Sequence, residues 1–569
     1  MRSWSSRWRW PDGRLAARSR GLSLPPAVEK RGHLFTQTLV PLGSLWAAVI
    51  VAFVPLFVLL ALLAGLRMTA WLATLIAGAI TAALGIWIWH APVGSMARAY
   101  LYGGLQGVWA VDWITFWGLI IFNTLVFTGD FERFKNWIVH HATTDIRIQT
   151  LMLAWAFGAL LEGLVGFGYP WAVIAPILIG FGVADLDAIR VTALANNAPV
   201  SYGALGAPII ALAAVTSLPL MALSASVGHI VAILALLPPW ILLYLVSGAE
   251  GVKEGWPLAV VASLAYVGGQ WPVAVFLGPY LPDITGALTA FWVLFAFTKV
   301  WRPKTVRTFG GRPAARSLGA QSTVEVAGDP GSALRAWSPY IVLILIVVVW
   351  TGPWSTLPSY SLVRLSVQGV SSITNQPFAQ TFNLNPLSGG TAILASWLVI
   401  LTFLRPGAAT IRQVFKRTFH QMWGALLVGF FIFGLAFAFV FSGMANSMAY
   451  GCSKVGPLFV VLAPILGWVG VALSGSNTST NAMFGPVQAA TGRLLNLPPL
   501  LLPSFNSVGA EVGKPIAPQT ASVGVSTSRY VRAEGDVIRH NMSWTLATLA
   551  YLILITLVFY YFLPSVMEV

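Results

Sequence analysis

The sequence predicts an all-α fold, a polytopic transmembrane helical bundle of about twelve to fourteen spans with an inverted repeat and two broken-helix or re-entrant regions. Three observations carry that expectation. Of 569 residues, 57% are hydrophobic and only 9% charged, with a mean hydropathy of +0.77, whereas a soluble domain carries roughly 25% charged residues. The apolar residues gather in blocks of about 17 to 25, enough for a helix to cross a hydrocarbon core of roughly 30 Å. Two stretches, in corresponding positions of the two halves, interrupt this pattern with Gly, Pro, Asn and Glu.

The net charge of +15 and pI near 10.1 do not indicate nucleic acid, because the Lys and Arg lie in short segments between apolar blocks. Such segments set topology and touch anionic lipid headgroups. One cysteine, Cys452, excludes an internal disulfide framework and offers no metal cluster. The Arg- and Trp-rich stretch Met1 to His33 precedes an apolar block too long for a secretory signal and lacks a small-residue cleavage site. It reads as part of a basic cytoplasmic N-terminal tail, residues 1–38, or as an overlong start.

The first transmembrane half, 39–301, opens with Leu39 to Leu66 and Thr69 to Trp89, a tight helical hairpin turning at Arg67, followed by Asp112 to Thr128. The charged connector Gly129 to Gln149 is too polar to cross and is expected along the interface, with His140 and His141 on a solvated surface. Thr150 to Ser217 forms the first interrupted region, 150–217. Spans resume at Ser226 to Leu245, Pro257 to Leu277 and Ile284 to Trp301. The loop 302–335 carries Arg302, Lys304, Arg307, Arg312, Arg316 and Arg335 against Glu325 and Asp329, which makes it cytoplasmic. The second half, 336–569, begins with the span Ser338 to Trp350. Thr351 to Ser388, with Arg364 its one charged residue, should face outward. Gly389 to Leu404 returns to a basic turn at Arg405, Arg412, Lys416 and Arg417. Phe419 to Phe441, Leu458 to Leu473, a second interrupted region 474–527 and Trp544 to Leu563 complete the chain.

Broken helices persist in a membrane only where protein or a water-filled cavity covers the freed backbone groups. Two such regions in matching positions point to a substrate site at mid-membrane, where carbonyls, amide donors and half-helix N-termini suit a carboxylate. The first contains Leu161-Glu162-Gly163 through Gly168-Tyr169-Pro170, then Asn196-Asn197-Ala198-Pro199 through Pro208-Ile209. The second contains Ser474-Gly475-Ser476-Asn477-Thr478 through Phe484-Gly485-Pro486, then Asn506 through Gly513-Lys514-Pro515-Ile516. Both share a Phe-Gly element and a later Gly-x-Pro-Ile element, a short internal repeat.

Glu162 lies between apolar runs, where an ionised side chain costs at least roughly 2.5 to 3.5 kcal/mol. It must find a partner or exchange protons, or else it serves shape alone by bonding Asn196 or free amides. Glu511 and Lys514, three residues apart, share a face if helical. Lys514 then attracts a carboxylate while Glu511 carries protons, or the two neutralise each other. Ser476, Asn477, Thr478 and Asn481 supply donors and acceptors to a pocket or merely glue helices. Asp112, between Trp109 and Trp113, is expected at the interface. No Walker loop, H-E-x-x-H or G-x-S-x-G is present, so no enzyme, catalytic residue, metal or cofactor is expected.

At these motifs the chain resembles the lactate permease family, with its F-L-E-G-x-x-G-F-G, N-x-A-P-V-x-x-G-A-x-G-x-P-I and G-S-D-T-S-S-N-A-x-F elements. Here they stand as Leu161 to Gly168, Asn197 to Ile209 and Gly475 to Phe484, with shorter echoes at Gly251 to Pro257, Gly278 to Ile284, Leu334 to Pro339 and Gly390 to Leu394. Two departures stand out. Asn477 replaces the usual Asp, and Val512-Gly513-Lys514-Pro515-Ile516-Ala517-Pro518-Gln519 alters the usual V-T-G-K-x-I-S-P-Q while retaining Lys514 and Gln519.

The resemblance implies a multi-pass protein of a bacterial-type inner membrane that imports L-lactate, D-lactate or glycolate by proton symport. It implies Glu162 and Glu511 as proton-coupling candidates, and Gly166, Gly168, Asn196, Asn197, Ser476, Asn477, Thr478, Asn481, Lys514 and Gln519 as substrate-binding candidates. The partners are then a small monocarboxylate, a proton and the lipid bilayer. Competing readings are a sodium-coupled carboxylate carrier and a passive anion channel or facilitator, the latter favoured by Asn477.

Overall fold

The computed structural model describes residues 34–141, 144–166, 168–313, 333–526 and 534–569. The stretch Met1 to His33, Phe167, the side chains of His140 and His141, and most of the basic loop lie outside the described residues. Among the rest, eight helices are long and apolar enough to cross a membrane, nine if the bent pair Asp185–Ala195 and Val200–Thr216 is one span, and three shorter apolar helices join them. One of the eight, Leu220–Phe276, is 57 residues long, roughly 85 Å at 1.5 Å per residue. It breaks at Gly248, whose φ is +68, and so makes two crossings.

The first half contains α1 (Leu45–Leu60), α2 (Ala70–Trp87), α3 (Val93–Gly107) and α4 (Trp113–Phe127). A π-helical turn, Val108–Asp112, joins α3 to α4 as one 35-residue span. The short α5 (Asp130–His141) follows. A helical rod then enters at Ile146 and ends as α6 (Gly158–Leu164), and α7 (Tyr169–Gly180) turns back from it. Next come α8 (Asp185–Ala195) and α9 (Gly203–Thr216), bent by 67° at their junction. Three more helices, α10 (Leu220–Leu234), α11 (Pro238–Phe276) and α12 (Pro282–Val300), connect the halves.

The second half repeats that order. It has α13 (Ala333–Thr351), α14 (Gly389–Leu404) and the 35-residue α15 (Ala408–Ser442), then the short α16 (Met444–Ser453). After these, α17 (Phe459–Ser474) and α18 (Asn477–Leu494) form the turning pair, and α19 (Leu501–Gly513) with α20 (Pro518–Val525) the broken span; α21 (Glu534–Phe562) ends the fold. Each half thus runs through three crossings, the third of 35 residues, then a short helix, a turning pair and a broken pair. The two 35-residue spans pack along each other.

Among the described residues one sheet forms, of three strands in the order β1 (Phe35–Thr36), β2 (Val363–Val370) and β3 (Pro377–Leu384). A β-ribbon in segment 351–388 was not anticipated, because the strand signal lay inside a segment read only for polarity. Its pairing of Phe35 with Gly369 puts the chain just before α1 on the face that carries residues 351–388. Three crossings later, Asp145 accepts from the Arg307 amide at 3.3 Å, so residues 302–313 lie on the other face. A cytoplasmic N-terminal segment and an outward 351–388 segment therefore do not hold together. The backbone ladder to β2 decides the side, where sequence counting weighed only the Arg residues before it.

The connector also differs from expectation. Phe131 and Phe134 are buried, and Arg147 is fully buried, bonded to Asp145 at 2.6 and 2.9 Å, to Glu254 at 3.1 Å and to the Thr305 carbonyl at 2.6 Å. Arg307 adds bonds of 2.8 Å to both oxygens of Glu254. The connector's end is thus a buried ionic brace tying the base of the rod to the α11 break and the loop, and not a segment lying along the interface.

Candidate functional site

Four chain breaks meet at the centre of the bundle, and local sequence explains each. Gly166 and Gly168, both left-handed at φ +68 and +73, end α6 and start α7. A side chain at 168 would suffer that backbone and would also place its Cβ 2.6 Å from the Thr520 methyl on α20. Asn196 to Pro199 interrupt α8 and α9, and Pro208 removes a donor just beyond. There Ala204 and Leu205 hold left-handed backbone at φ 47 and 57, a strain that persists only where surroundings impose it. Gly475, at φ +73, caps α17 and lets Gln519 approach; a Cβ would sit 2.5 Å from its Oε1. The turn Lys514–Ile516, with Pro515, separates α19 from α20.

The breaks enclose a cavity of about 420 Å³. Its polar side joins both halves: Glu162 and Gly166 from the first, Ser474 to Ser479, Lys514, Gln519 and Thr520 from the second. Lys514 Nζ donates to Glu162 Oε1 at 2.5 Å, and Asn196 Nδ2 donates to Glu162 Oε2 at 3.1 Å. Both partners of this ion pair are buried. Ser476 caps α18, its hydroxyl accepting from the Ser479 amide at 3.2 Å, so the positive end of that helix opens on the cavity. Asn477 follows, 4% exposed, with neither its Nδ2 nor its Oδ1 meeting a partner among the described residues. A buried amide left with four vacant hydrogen-bonding positions is costly unless a ligand or water fills them. A cation, a helix N-terminus and a free amide on one wall can hold a carboxylate with an adjacent hydroxyl.

The structure brings seven sequence candidates to this cavity: Glu162, Gly166, Ser476, Asn477, Thr478, Lys514 and Gln519. The others stand behind it. Asn196 orients Glu162, and Gly168 packs on Thr520. Asn197 is buried away from the cavity lining, its Oδ1 without a partner among the described residues. Asn481 donates to the Pro208 carbonyl and to Ser507 Oγ, both at 3.0 Å, bracing α18 on α9. Glu511 is fully buried and accepts from the Ser201 amide at 3.1 Å and from the Ser201 hydroxyl.

Glu511 and Lys514 therefore do not form the expected pair. The helix ends at Gly513, so the three-residue spacing carries Lys514 round to Glu162, 352 positions away. Asp112 is likewise not interfacial: it is 6% exposed and lines the cavity beside Thr115, while the neighbouring Trp109 and Trp113 reach Asn385 and Thr391. Sequence reading placed it at the interface because of its Trp neighbours, although no other residue between Arg98 and Asp130 is charged.

Most of the chain aligns with known proteins. A profile described as L-lactate permease matches residues 48–565. The glycolate permease GlcA of Escherichia coli K12 is 33% identical over 555 residues, covering 92% of this chain and 97% of that protein. The L-lactate permease of the same strain is 30% identical over 534 residues, covering 90% and 96%. That of Bacillus subtilis 168 is 30% identical over 550 residues, covering 92% and 98%. Among solved structures, the YdaH transporter of Alcanivorax borkumensis aligns with a TM-score of 0.43 and 14% identity over 81% of this chain and 86% of that chain. With the family profile spanning nearly every described helix and full-length relatives at 30% identity and above, the chain belongs to the L-lactate permease family.

Proposed function

We propose that the chain imports small 2-hydroxy monocarboxylates, L-lactate, D-lactate and glycolate, across the cytoplasmic membrane by proton symport, with Glu162 and Lys514 as the coupling pair. The observation that carries this reading is the 2.5 Å contact between these two side chains at the cavity wall, beside the α18 N-terminus and the unpartnered Asn477. The names of the relatives, glycolate and L-lactate permease, supply the substrate class.

In the empty carrier the pair is neutral, so it moves through a low-dielectric environment without an uncompensated charge. A substrate carboxylate competes with Glu162 for the Lys514 ammonium. Protonation of Glu162 removes the competitor, and the anion takes its place on Lys514 and the α18 amides. One proton and one monoanion enter together, so the loaded cavity has the same net charge as the empty one. Asn196 holds the Glu162 carboxyl in either state, because its Nδ2 donates to an oxygen that accepts whether or not the group is ionised. Asn477 and Thr478 are the groups available to the 2-hydroxyl. The cationic segments at Arg307 and at Arg405 to Arg417 favour a cytoplasmic assignment for their face. The face of β1 and the β2–β3 ribbon is then external.

The test is uptake of labelled L-lactate and glycolate into proteoliposomes under an inward proton gradient, with external pH recorded. Accumulation with alkalinisation of the medium is expected, and collapse of the gradient should stop it. Transport without alkalinisation would replace symport by a facilitator, or by sodium coupling if choline substitution abolishes it. Glu162→Gln mimics the protonated group and leaves Lys514 permanently free. It should retain exchange of internal for external substrate while losing proton-driven accumulation; loss of both would make Glu162 structural.

A further inference from the structure

The cavity has a second ionisable wall that the coupling pair does not use. Asp112 closes the π-helical turn between α3 and α4 and faces the same space as Glu162 and Lys514. The same cavity is lined by Trp71, Val111, Thr115, Ala425, Val428 and Ile432. Its Oδ2 is enclosed and meets no hydrogen-bond partner among the described residues. The carboxyl lies against the α15 backbone at Gly429, where a Cβ would come within 2.1 Å of Oδ2.

The elements packed on this turn offer no compensating cation. Helices α2, α4 and α9 contain no ionisable residue. On α15 the titratable groups Arg412, Lys416, Arg417 and His420 all precede Gln421, towards the end remote from Ser442. On α3, Arg98 bonds to the Gly94 carbonyl and Ser95, and the Tyr100 ring packs against Gly78 and Gly434; Tyr102 is the remaining titratable group on that helix. Across the cavity the charged residues are Glu162 and Lys514, which neutralise each other.

An ionised Asp112 would give the empty cavity a net negative charge and repel an entering anion. We propose that Asp112 is a second proton-binding group of the transport cavity, and that the substrate anion binds only when Asp112 is neutral. This rests on the transport reading above and adds a second proton to its binding step. When Asp112 and Glu162 both bind a proton with the anion, reciprocal linkage makes KM rise by about 100-fold per pH unit in the range where both are ionised, and by about tenfold where one is.

The full-length chain in proteoliposomes supplies the test, with equilibrium exchange of labelled L-lactate and glycolate at equal internal and external pH. Asp112→Asn should retain exchange and lower the slope of log KM against pH by one proton; an unchanged slope overturns the proposal. A second measurement does not need transport. The infrared difference spectrum of the wild-type protein minus Asp112→Asn should contain the carbonyl-stretching band of a protonated carboxylic acid, lost as pH rises. Absence of that band overturns the proposal; if Asp112→Asn fails to fold, Asp112→Glu, which keeps the carboxylic acid and shifts its band, replaces it in the subtraction. If neither acid exchanges at any pH, the substrate reading falls, and the infrared band alone decides whether Asp112 binds a proton.

Discussion

Lys514 is where the chemistry concentrates. It is buried, bonded to Glu162 and flanked by the α18 N-terminus. Replacing it leaves Glu162 as a buried charge without its partner, which costs roughly 3 to 5 kcal/mol. Lys514→Met should therefore lower thermal stability in detergent and abolish uptake. Adding Glu162→Gln should recover most of the stability and none of the transport, because the anion still lacks its cation. A double variant as unstable as Lys514→Met would show that the pair is not the source of the loss. The sequence marked both residues as candidates, since each is an ionisable side chain within an otherwise apolar, broken segment. One of its two readings paired Lys514 with Glu511, and the structure does not bear that one out, because three-residue spacing implies a shared face only while the helix continues, and α19 stops at Gly513.

The turning pairs and broken pairs depend on a few positions that no side chain can occupy. Gly168 meets two independent constraints, its left-handed φ of +73 and the 2.6 Å approach to Thr520. Gly168→Val should cost about 1 to 3 kcal/mol from backbone strain alone, with the collision added, and should abolish uptake while the chain still inserts. Thr520→Ala in the same background should relieve the collision and not the strain, so recovery is partial; full recovery would exclude backbone strain. These breaks were legible from Gly, Pro and Asn in apolar runs, as was their placement in corresponding positions of the two halves. The helix Val93–Gly107 was not, because Arg98, Gln106 and its glycines dilute the apolar signal. Its role is to extend α4 into the long span that carries Asp112 into the cavity.

For the whole molecule, the decisive observation is which segments share a face. In a Cys452→Ser background, Leu34→Cys and Leu365→Cys should react with a membrane-impermeant maleimide added to intact cells, and Arg312→Cys only after permeabilisation. Leu34 and Leu365 are exposed beside β1 and on β2. Labelling of Leu34→Cys from the opposite side to Leu365→Cys would contradict the β1–β2 pairing. The opposite placement of the start of the basic loop and of the polar segment 351–388 was readable from charge alone. The side of the chain before α1 was not, since Phe35–Thr36 carries no charge and its position is fixed by backbone bonds to a strand more than 300 residues later.

The sequence by itself determined that this chain crosses a membrane many times, that two regions within it are broken, and that Glu162, Asn477 and Lys514 belong to those regions. Each of these follows from a local sum: hydropathy over one helix length, or a Gly, Pro or ionisable residue inside an apolar run. Only the tertiary structure decided that Glu162 pairs with Lys514, that Glu511 bonds to Ser201, and that Asp112 shares their cavity. Those outcomes depend on where four chain breaks from opposite halves converge, and a buried charge takes the partner that this convergence brings within hydrogen-bond reach, not the one nearest along the chain.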